Sequence, residues 1–438
     1  MRDANPARSD EPGARGTRVR DAAVVTGAAP DAHAPAVPFH SFILKIHSRC
    51  DLACDYCYMY EGADQSWRGQ PRTMAPAVLD RTAARIAEHA TTHGLSAVKV
   101  VLHGGEPLLM GPAGLGRAVR SLRRALDAVP VPRVDIAVQT NGLGLDERYL
   151  ELFAELDVHV GVSLDGDAAG HDRHRRRANG RGSHTEVAAA LRRLTEGPHR
   201  HLFGGLLCVI DPRNDPLATY RHLLGYAPPV IDFLLPHGNW SQPPPGRLPG
   251  SPATPYADWL AAVFDVWFDA PVRETRIRLL DDLVALLLGG RAETEGLGLA
   301  PVGYVVVETD GAIGRDATLR TTYPGAISTG LHVLRDPFDR ALHPTGSRPP
   351  PGVPAPAPAA VPGPGLAGLS ATCRACPLHR VCGGGHVTHR YRADGTHFAN
   401  PSVYCPDLAS LIAHVGRRLN QDLGRLLARP APAPTGAA

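Results

Sequence analysis

The sequence lacks any uninterrupted apolar run close to the ~20 residues that a membrane-spanning helix needs. It also has little excess charge, because 46 Lys and Arg residues against 43 Asp and Glu residues leave a net charge of +3. Such a mild charge argues against nucleic acid or a membrane surface as a partner. Arginines are frequent near the amino terminus, but the apolar stretch of a signal peptide does not follow them. We therefore expect a cytoplasmic protein that binds neither nucleic acid nor membranes.

Cysteine is scarce and unevenly placed. Seven of the eight cysteines form two short groups, and Cys208 stands alone in an apolar run that predicts a buried strand. The groups are Cys50, Cys54 and Cys57, and then Cys373, Cys376, Cys382 and Cys405. In a reducing compartment, thiols grouped in this way indicate metal sites rather than disulfides.

Short β-branched segments alternate with amphipathic segments from residue 39 onwards. The predicted strands are 39–46, 97–102, 134–138, 158–164, 202–210 and 230–235, and the predicted helices are 76–92, 114–128, 146–155, 184–195 and 215–225. This alternation predicts βαβ units and a parallel sheet. Six such strands fit a partial (β/α)6 barrel of the α/β class, in which the chemistry lies at the carboxyl ends of the strands.

Composition changes further along the chain predict its division into segments. Two helices, 254–270 and 276–289, and a strand at 302–307 follow the barrel, and the first helix has Trp259, Val263, Val266 and Trp267 on one face. The predicted segments are a disordered amino-terminal stretch (1–36), the barrel (37–270), a bridging region (271–343), a Pro-rich linker (344–368), a small cysteine-bearing module (369–412), and a C-terminal helix and tail (413–438).

The first cysteine group directly follows the first predicted strand, with the spacing C-x3-C-x2-C. Three thiolates at this spacing can ligate three irons of a cubane cluster and leave the fourth iron open to a small molecule. A zinc site completed by His47 is the alternative, although structural zinc usually takes C-x2-C pairs. The spacing therefore favours an iron–sulfur cluster.

The stretch CDLACDYCY at 50–58 resembles the signature of radical S-adenosylmethionine (SAM) enzymes, including the aromatic Tyr56 before the last cysteine. Three further motifs end the next three strands, as in that family: GGEP at 104–107, QTNG at 139–142 and SLDG at 163–166. The resemblance implies a 4Fe-4S cluster on the three cysteines and a bound SAM. The SAM contacts that it implies are Gly104, Gly105, Glu106, Pro107, Gln139, Asn141, Ser163, Asp165 and Arg175.

For two of these residues the resemblance implies a specific interaction with SAM. Glu106 is expected to offset the charge of the SAM ammonium, which the glycines let approach the backbone. Arg175 is expected to bind the SAM carboxylate, because a guanidinium can hold it in a bidentate manner. A solvated basic loop is the alternative for Arg175. Leu234, Leu235 and Pro236, at the end of the sixth strand, are either adenine contacts or ordinary core.

The second cysteine group resembles the SPASM extension of peptide-modifying radical SAM enzymes, in truncated form. Where full SPASM domains have further cysteines, this sequence has Glu308, Gly330 and His386. The resemblance therefore implies one auxiliary 4Fe-4S cluster, held by Cys373, Cys376, Cys382 and Cys405. Structural zinc is the alternative, with His379, His386 and His389 nearby.

The segments CGGGH at 382–386 and NPSVYCPDL at 400–408 resemble FxsB-type cyclophane-forming maturases. This resemblance implies hydrogen abstraction by a 5′-deoxyadenosyl radical and an intrapeptide carbon–carbon crosslink in a ribosomally made precursor peptide. It also implies an electron donor such as flavodoxin or ferredoxin. Oxidation of Ser or Cys as in sulfatase maturases, thioether formation, or a non-catalytic metal scaffold remain open. We identify no catalytic acid or base from the sequence.

Overall fold

The computed structural model of the protein describes residues 37–248, 250–301, 303–342 and 361–427. The predicted disordered stretch 1–36 and the linker residues 344–360 lie outside these residues. Within the described ranges the strands are β1 (Ser41–His47), β2 (Ala97–Gly104), β3 (Arg133–Thr140), β4 (Val158–Ser163), β5 (Phe203–Val209), β6 (Val230–Leu234), β7 (Arg276–Ile277), β8 (Tyr304–Val307), β9 (Ala312–Gly314) and β10 (Ser328–His332).

The strands of the described ranges form one sheet in the order β10-β9-β8-β1-β2-β3-β4-β5-β6-β7. Neighbouring strands from β1 to β7 are parallel, and β8 pairs in parallel with the other side of β1. The last two strands turn back, so that β9 is antiparallel to β8 and β10 to β9. The first six strands and their helices confirm the predicted partial (β/α)6 barrel.

Helices connect the parallel strands and cover the outer face of the sheet. Within the described ranges they are α1 (Pro76–Thr92), α2 (Gly111–Asp127), α3 (Glu147–Leu156), α4 (Ala168–His174), α5 (His184–Glu196), α6 (Pro216–Leu224), α7 (Pro255–Phe268), α8 (Arg278–Leu287), α9 (Asp339–Leu342), α10 (Ala371–Ala375), α11 (His379–Cys382) and α12 (Cys405–Leu427). The sequence predicted each long helix of the barrel, but not α4.

Local chemistry explains where these elements begin. Pro76 starts α1, where the missing N–H has no helical partner in any case. Asp146 accepts a hydrogen bond from the Tyr149 N–H at 3.3 Å and so caps α3. In β1 every second side chain, from Phe42 to Ile46, is fully buried against the helices, which leaves the opposite parity facing the barrel interior.

The helix α7 confirms the predicted segment 254–270 but shifts its buried face. Trp259, Val263 and Trp267 are buried, whereas Val266 is 41 % exposed. At 100° per residue, Leu260 and Phe264 extend the buried face in the direction away from Val266, which therefore lies at its edge.

The C-terminal part packs directly on the barrel. Helix α12 lies against α7 and α8, and its Leu408, Leu411 and Val415 belong to the same hydrophobic core as the strands. This helix runs through the limit predicted between residues 412 and 413. The other limits stay predictions. Among the described helices, none is long and apolar enough to cross a membrane.

Candidate active site

The carboxyl ends of the barrel strands surround a single cavity that brings most predicted site residues together. Ten of them line it, namely Cys50, Cys54, Cys57, Gly104, Gly105, Gln139, Asn141, Ser163, Asp165 and Arg175. Further lining comes from Tyr56, Tyr58, His103, Leu207, Val209 and Leu234–His237. Glu106 and Pro107 do not line it. The second cysteine group forms a separate site on α10, α11 and α12.

The glycines of the GGEP motif let the end of β2 pack against the cysteine loop. A Cβ on Gly104 would lie 2.1 Å from the His47 carbonyl oxygen, and one on Gly105 would lie 1.8 Å from the Tyr60 hydroxyl. The backbones of the strand end and the cysteine loop are this close because the Gly105 N–H donates to the His47 carbonyl at 2.8 Å. Any side chain here would therefore push the cysteine loop away from the strand.

Glu106 lies behind the cavity wall rather than in it. One carboxylate oxygen accepts from the Leu108 N–H at 2.9 Å and from the Thr140 hydroxyl at 2.7 Å, and the other accepts from the Asn141 N–H at 2.8 Å. Burial raises the pKa of this carboxyl to about 7, against the effect of these donors. The geometry indicates a residue that joins the ends of β2 and β3, and the contact with the SAM ammonium stays a prediction.

The three thiols of the first group have the surroundings of cluster ligands. The Cys50 sulfur accepts from the Leu52 N–H at 3.4 Å and from the Asn141 amide at 3.7 Å. Burial raises the pKa of Cys54 to about 11, so these thiols stay protonated unless bound iron supplies positive charge. The donor set therefore fits a thiolate-bound cluster, with N–H groups aimed at sulfur to tune its potential.

The cysteine sulfurs are not gathered as closely as the ligands of a bound zinc ion. Among the described residues, no three cysteine sulfurs lie within 4.8 Å of one another. Around a single zinc ion with Zn–S bonds of ~2.3 Å, the sulfurs would be ~3.8 Å apart. In any three of these cysteines, at least one pair of sulfurs is therefore farther apart than around a bound zinc ion.

Arg175 lines the cavity and is linked to Asp165 by hydrogen bonds through Tyr56. Its guanidinium donates to the Tyr56 hydroxyl at 2.9 Å, and that hydroxyl donates in turn to Asp165. The Nε of Arg175 is buried and has no hydrogen-bond partner. Since leaving such a donor unsatisfied is costly, the site fits an anionic ligand group such as a carboxylate.

A buried lysine that the sequence did not single out contacts two residues of the cavity wall, Tyr58 and His103. Lys45 is 1 % exposed, and its ammonium lies 3.0 Å from the Tyr58 hydroxyl and 3.3 Å from His103 Nδ1. Burial, and then the charge of Lys45, lowers the pKa of His103 to about 3. The signal was present, because Lys45 occupies the interior-facing parity of β1 and pairs in register with His103.

The second cysteine group surrounds a glycine turn. Gly383, Gly384 and Gly385 all have left-handed backbone conformations, with φ of 60°, 76° and 68°. Their carbonyl oxygens accept from the buried guanidinium of Arg390 at 2.6–3.0 Å. Burial raises the pKa of Cys382 to about 11, as for the first group.

The three histidines near this group differ in their contacts: His379 and His386 each contact another group through one ring nitrogen, whereas His386 Nδ1 and His389 Nε2 are buried without a hydrogen-bond partner. His379 Nδ1 lies 2.7 Å from the Cys376 carbonyl oxygen, and His386 Nε2 lies 3.2 Å from Asp316. The His389 ring packs against Tyr404 at 4.9 Å. None of these contacts directs an imidazole nitrogen towards sulfur.

The positions that lack SPASM-like cysteines are filled by other pairs. Glu308 forms a buried ion pair with Arg320 at 2.9 Å, and Arg320 also lies 3.7 Å from Asp64. His386 pairs with Asp316, as above, and Gly330 is exposed on β10. At two of the three positions the side chain is therefore held by an oppositely charged or hydrogen-bonding partner, and the third position has no side chain.

Residues 44–215 match the Radical SAM superfamily. The chain is 26 % identical over 270 residues to the serine-type anaerobic sulfatase-maturating enzyme of Bacteroides thetaiotaomicron, covering 58 % of this chain and 63 % of that protein. It is 24 % identical over 294 residues to the cysteine-type enzyme of Clostridium novyi, covering 61 % and 70 %. The chain thus spans less than two thirds of the Bacteroides relative.

The fold is similar to that of native anSMEcpe with bound AdoMet and Cp18Cys peptide. The TM-score is 0.70 at 20 % identity, and the likeness covers 88 % of this chain and 99 % of that one. The matched residues 44–215 carry the first cysteine group and the three strand-end motifs that meet at the cavity. Over residues 44–215 the chain is therefore similar to radical SAM enzymes, in sequence and in the residues that meet at the cavity.

Proposed function

We propose that this chain is a peptide maturase that removes two hydrogens from side chains of a ribosomally made precursor and closes a carbon–carbon, cyclophane-type crosslink. The observation that carries this choice of product is the single auxiliary cysteine set. Where a full SPASM set would continue, Glu308 is paired with Arg320 and His386 with Asp316. The C-terminal motifs at 382–386 and 400–408, which resemble the cyclophane-forming group, support the same choice.

Different residues of the cavity would bind the cluster and SAM. Cys50, Cys54 and Cys57 would hold the cluster, and Arg175, with its unpartnered Nε, would take the SAM carboxylate. When bound, the cluster and SAM supply the one-electron chemistry that removes a hydrogen atom from an unactivated carbon. The apolar wall at Leu234–Pro236 lines the cavity and would exclude water and contact the adenine.

A peptide substrate is supported by the fold. A structure of similar fold, anSMEcpe, binds the Cp18Cys peptide together with AdoMet. The sulfatase-maturating relatives act, by name, in the maturation of another protein. The precursor peptide and an electron donor such as flavodoxin or ferredoxin remain the proposed partners.

Oxidation of a Ser or Cys side chain is the second candidate, because several curated relatives are sulfatase-maturating enzymes. Thioether formation shares its chemistry up to the substrate radical. The two candidates differ in product: oxidation of Ser leaves an aldehyde, whereas a crosslink leaves none and closes a ring.

One experiment separates them. The enzyme, reconstituted anaerobically and supplied with SAM and dithionite, is incubated with the short peptide encoded beside its gene and, in parallel, with the Cp18Cys peptide. We expect 5′-deoxyadenosine in both mixtures, and loss of two hydrogens only from the neighbouring peptide. That product should resist hydrazide reagents and fragment poorly between the linked residues.

The control replaces Cys50, Cys54 and Cys57 together with Ala, and should form no 5′-deoxyadenosine. An aldehyde on either peptide would contradict the crosslink and favour the second candidate, oxidation of a Ser or Cys side chain. A bond from carbon to a peptide sulfur would indicate thioether formation. Absence of 5′-deoxyadenosine from the wild-type reaction would overturn the proposed function as a whole.

A further inference from the structure

Two histidines and a carboxylate meet at the carboxyl end of α1, outside the cavity lining. His89 and His93 lie one turn apart, and Asp339 comes from the start of α9. One oxygen of Asp339 is 2.5 Å from His89 Nδ1 and 2.9 Å from His93 Nε2. One ligand atom from each of the three residues lies within 4.8 Å of the other two.

In this cluster His89 is buried, whereas His93 and Asp339 are partly exposed to solvent. The His89 side chain is 1 % exposed, whereas those of His93 and Asp339 are 26 % and 41 % exposed. Aromatic rings enclose His89, with Phe39 at 5.7 Å and Phe338 at 6.3 Å between ring centroids. An apolar inner shell with an open outer side resembles the surroundings of many bound metal ions.

Each tautomer of a neutral His89 ring leaves one of its nitrogens poorly placed. If Nδ1 carries it, the bond to Asp339 forms, but Nε2 is left buried with no partner. If Nε2 carries it, a bare Nδ1 lone pair faces a carboxylate oxygen at 2.5 Å. A metal ion on Nδ1 would remove the repulsion between that lone pair and the carboxylate.

We propose that His89, His93 and Asp339 bind a divalent zinc ion. Two imidazoles and one carboxylate form a zinc ligand set, and water would complete the tetrahedron on the exposed side. Zinc bonds of ~2.0–2.1 Å would place neighbouring ligand atoms ~3.3 Å apart. The contacts of 2.5 and 2.9 Å would therefore have to open by less than 1 Å, and the exposed Asp339 is free to turn.

The position of the site gives it a structural role. Phe39 and Phe42, which pack on His89, belong to the amino end of β1, whereas the cavity lies at the carboxyl ends of the strands. In barrels of this kind the amino end contributes stability rather than chemistry. Zinc would fasten α9, and with it the chain just before residue 343, to helix α1.

The test uses the full chain with its iron–sulfur clusters in place, so that the cysteines are not free to take zinc. The protein is dialysed anaerobically against buffered Zn²⁺, and its zinc and iron contents are measured. The variants are His93→Gln and Asp339→Asn, which alter the exposed ligands and leave the buried His89. The matched control is His199→Gln, because His199 also pairs with a carboxylate, Glu147 at 2.8 Å, but no third ligand joins them.

We expect one more zinc per chain in the wild type and the His199→Gln control than in the other two variants, at equal iron content. X-ray absorption at the zinc edge should show only nitrogen and oxygen ligands. At a hundredfold excess over Kd, zinc should raise the melting temperature of the wild type by roughly 3–5 °C, and not that of His93→Gln or Asp339→Asn.

Equal zinc in all four proteins, or sulfur among its ligands, would overturn the zinc site. So would a wild-type protein that takes up no zinc, since the three residues would then form a hydrogen-bonded cluster only. Neither readout depends on SAM cleavage, so failure of the proposed peptide chemistry would leave this result unaffected.

Discussion

Replacing Glu106 by Gln tests whether this residue supports the cavity wall or contacts SAM. Gln keeps the shape of the side chain but offers one acceptor oxygen instead of two. Its oxygen can still accept from the Leu108 N–H and the Thr140 hydroxyl. The amide nitrogen, itself a donor, then faces the Asn141 N–H. One buried backbone donor is then left unsatisfied, which costs ~1–3 kcal/mol.

The same replacement also removes a buried charge. The folded pKa of Glu106 is about 7 against an ordinary value of 4.5. The unfolded chain therefore releases its proton first, and folded stability falls as pH rises from 4.5 to about 7. The difference amounts to about 3 kcal/mol above that range. Glu106→Gln should thus be less stable than wild type near pH 5.5 and about as stable near pH 8.

The functional effect should pass through Asn141. Its side chain donates to Asp51 at 2.7 Å and reaches the Cys50 sulfur, so a displaced Asn141 backbone disturbs the cysteine loop. We expect roughly tenfold weaker binding of SAM, equivalent to ~1.4 kcal/mol. Methylthioadenosine, which lacks the amino acid part of SAM, should lose the same factor.

Calorimetric titration of both ligands into the cluster-loaded protein decides between the two roles. The control is Glu151→Gln, an exposed position on α3. If Glu106→Gln weakens SAM but leaves methylthioadenosine unchanged, Glu106 holds the ammonium and the supporting role is refuted. If neither affinity changes, the orientation of Asn141 does not depend on Glu106.

Three further outcomes are expected. Reconstituted protein should hold roughly eight irons as two 4Fe-4S clusters, and the triple replacement of Cys50, Cys54 and Cys57 by Ala should keep about half; iron near four with one zinc per chain would contradict the auxiliary cluster. Gly105→Ala should lower iron retention and cost ~1–3 kcal/mol in thermal unfolding, because of the clash with Tyr60, while Gly424→Ala, whose Cβ meets nothing within 4 Å, serves as control. Arg390→Lys, which cannot gather the Gly383–Gly385 carbonyls, should lose the auxiliary iron but still cleave SAM; full iron content would contradict that function of the guanidinium.

The barrel was predictable because its signals are local. β-branched runs separated by amphipathic helices define parallel strands, and parallel strands bring their carboxyl ends to one edge. The GGEP, QTNG and SLDG motifs therefore meet the cysteine loop although up to 116 positions separate them from Cys50 in the sequence. Val266 shows the limit of periodicity, since the centre of a helix's buried face depends on its neighbours.

Side-chain directions in the turns were not predictable. Glu106 follows two glycines, and only the folded turn shows that its carboxylate points back to Thr140 and Asn141. Tyr56 was recognised as an aromatic of the motif, but its link between Arg175 and Asp165 needs α4, which the sequence analysis missed. The position of Lys45 beside His103 could be inferred only from the register of β1 on β2.

The missing SPASM-like cysteines were visible in the sequence, but what replaced them was not. Glu308 and Arg320 are both almost fully buried, with side chains 4 % and 0 % exposed, and are twelve positions apart. Removing one partner of a buried pair leaves an uncompensated charge and costs ~3–5 kcal/mol. A cysteine at position 308 would thus leave Arg320 with Asp64 as its remaining acidic neighbour, at 3.7 Å. The ion pair thus gives positions 308 and 320 a structural role in the fold, and the proposal of a single auxiliary cluster rests on Cys373, Cys376, Cys382 and Cys405 alone.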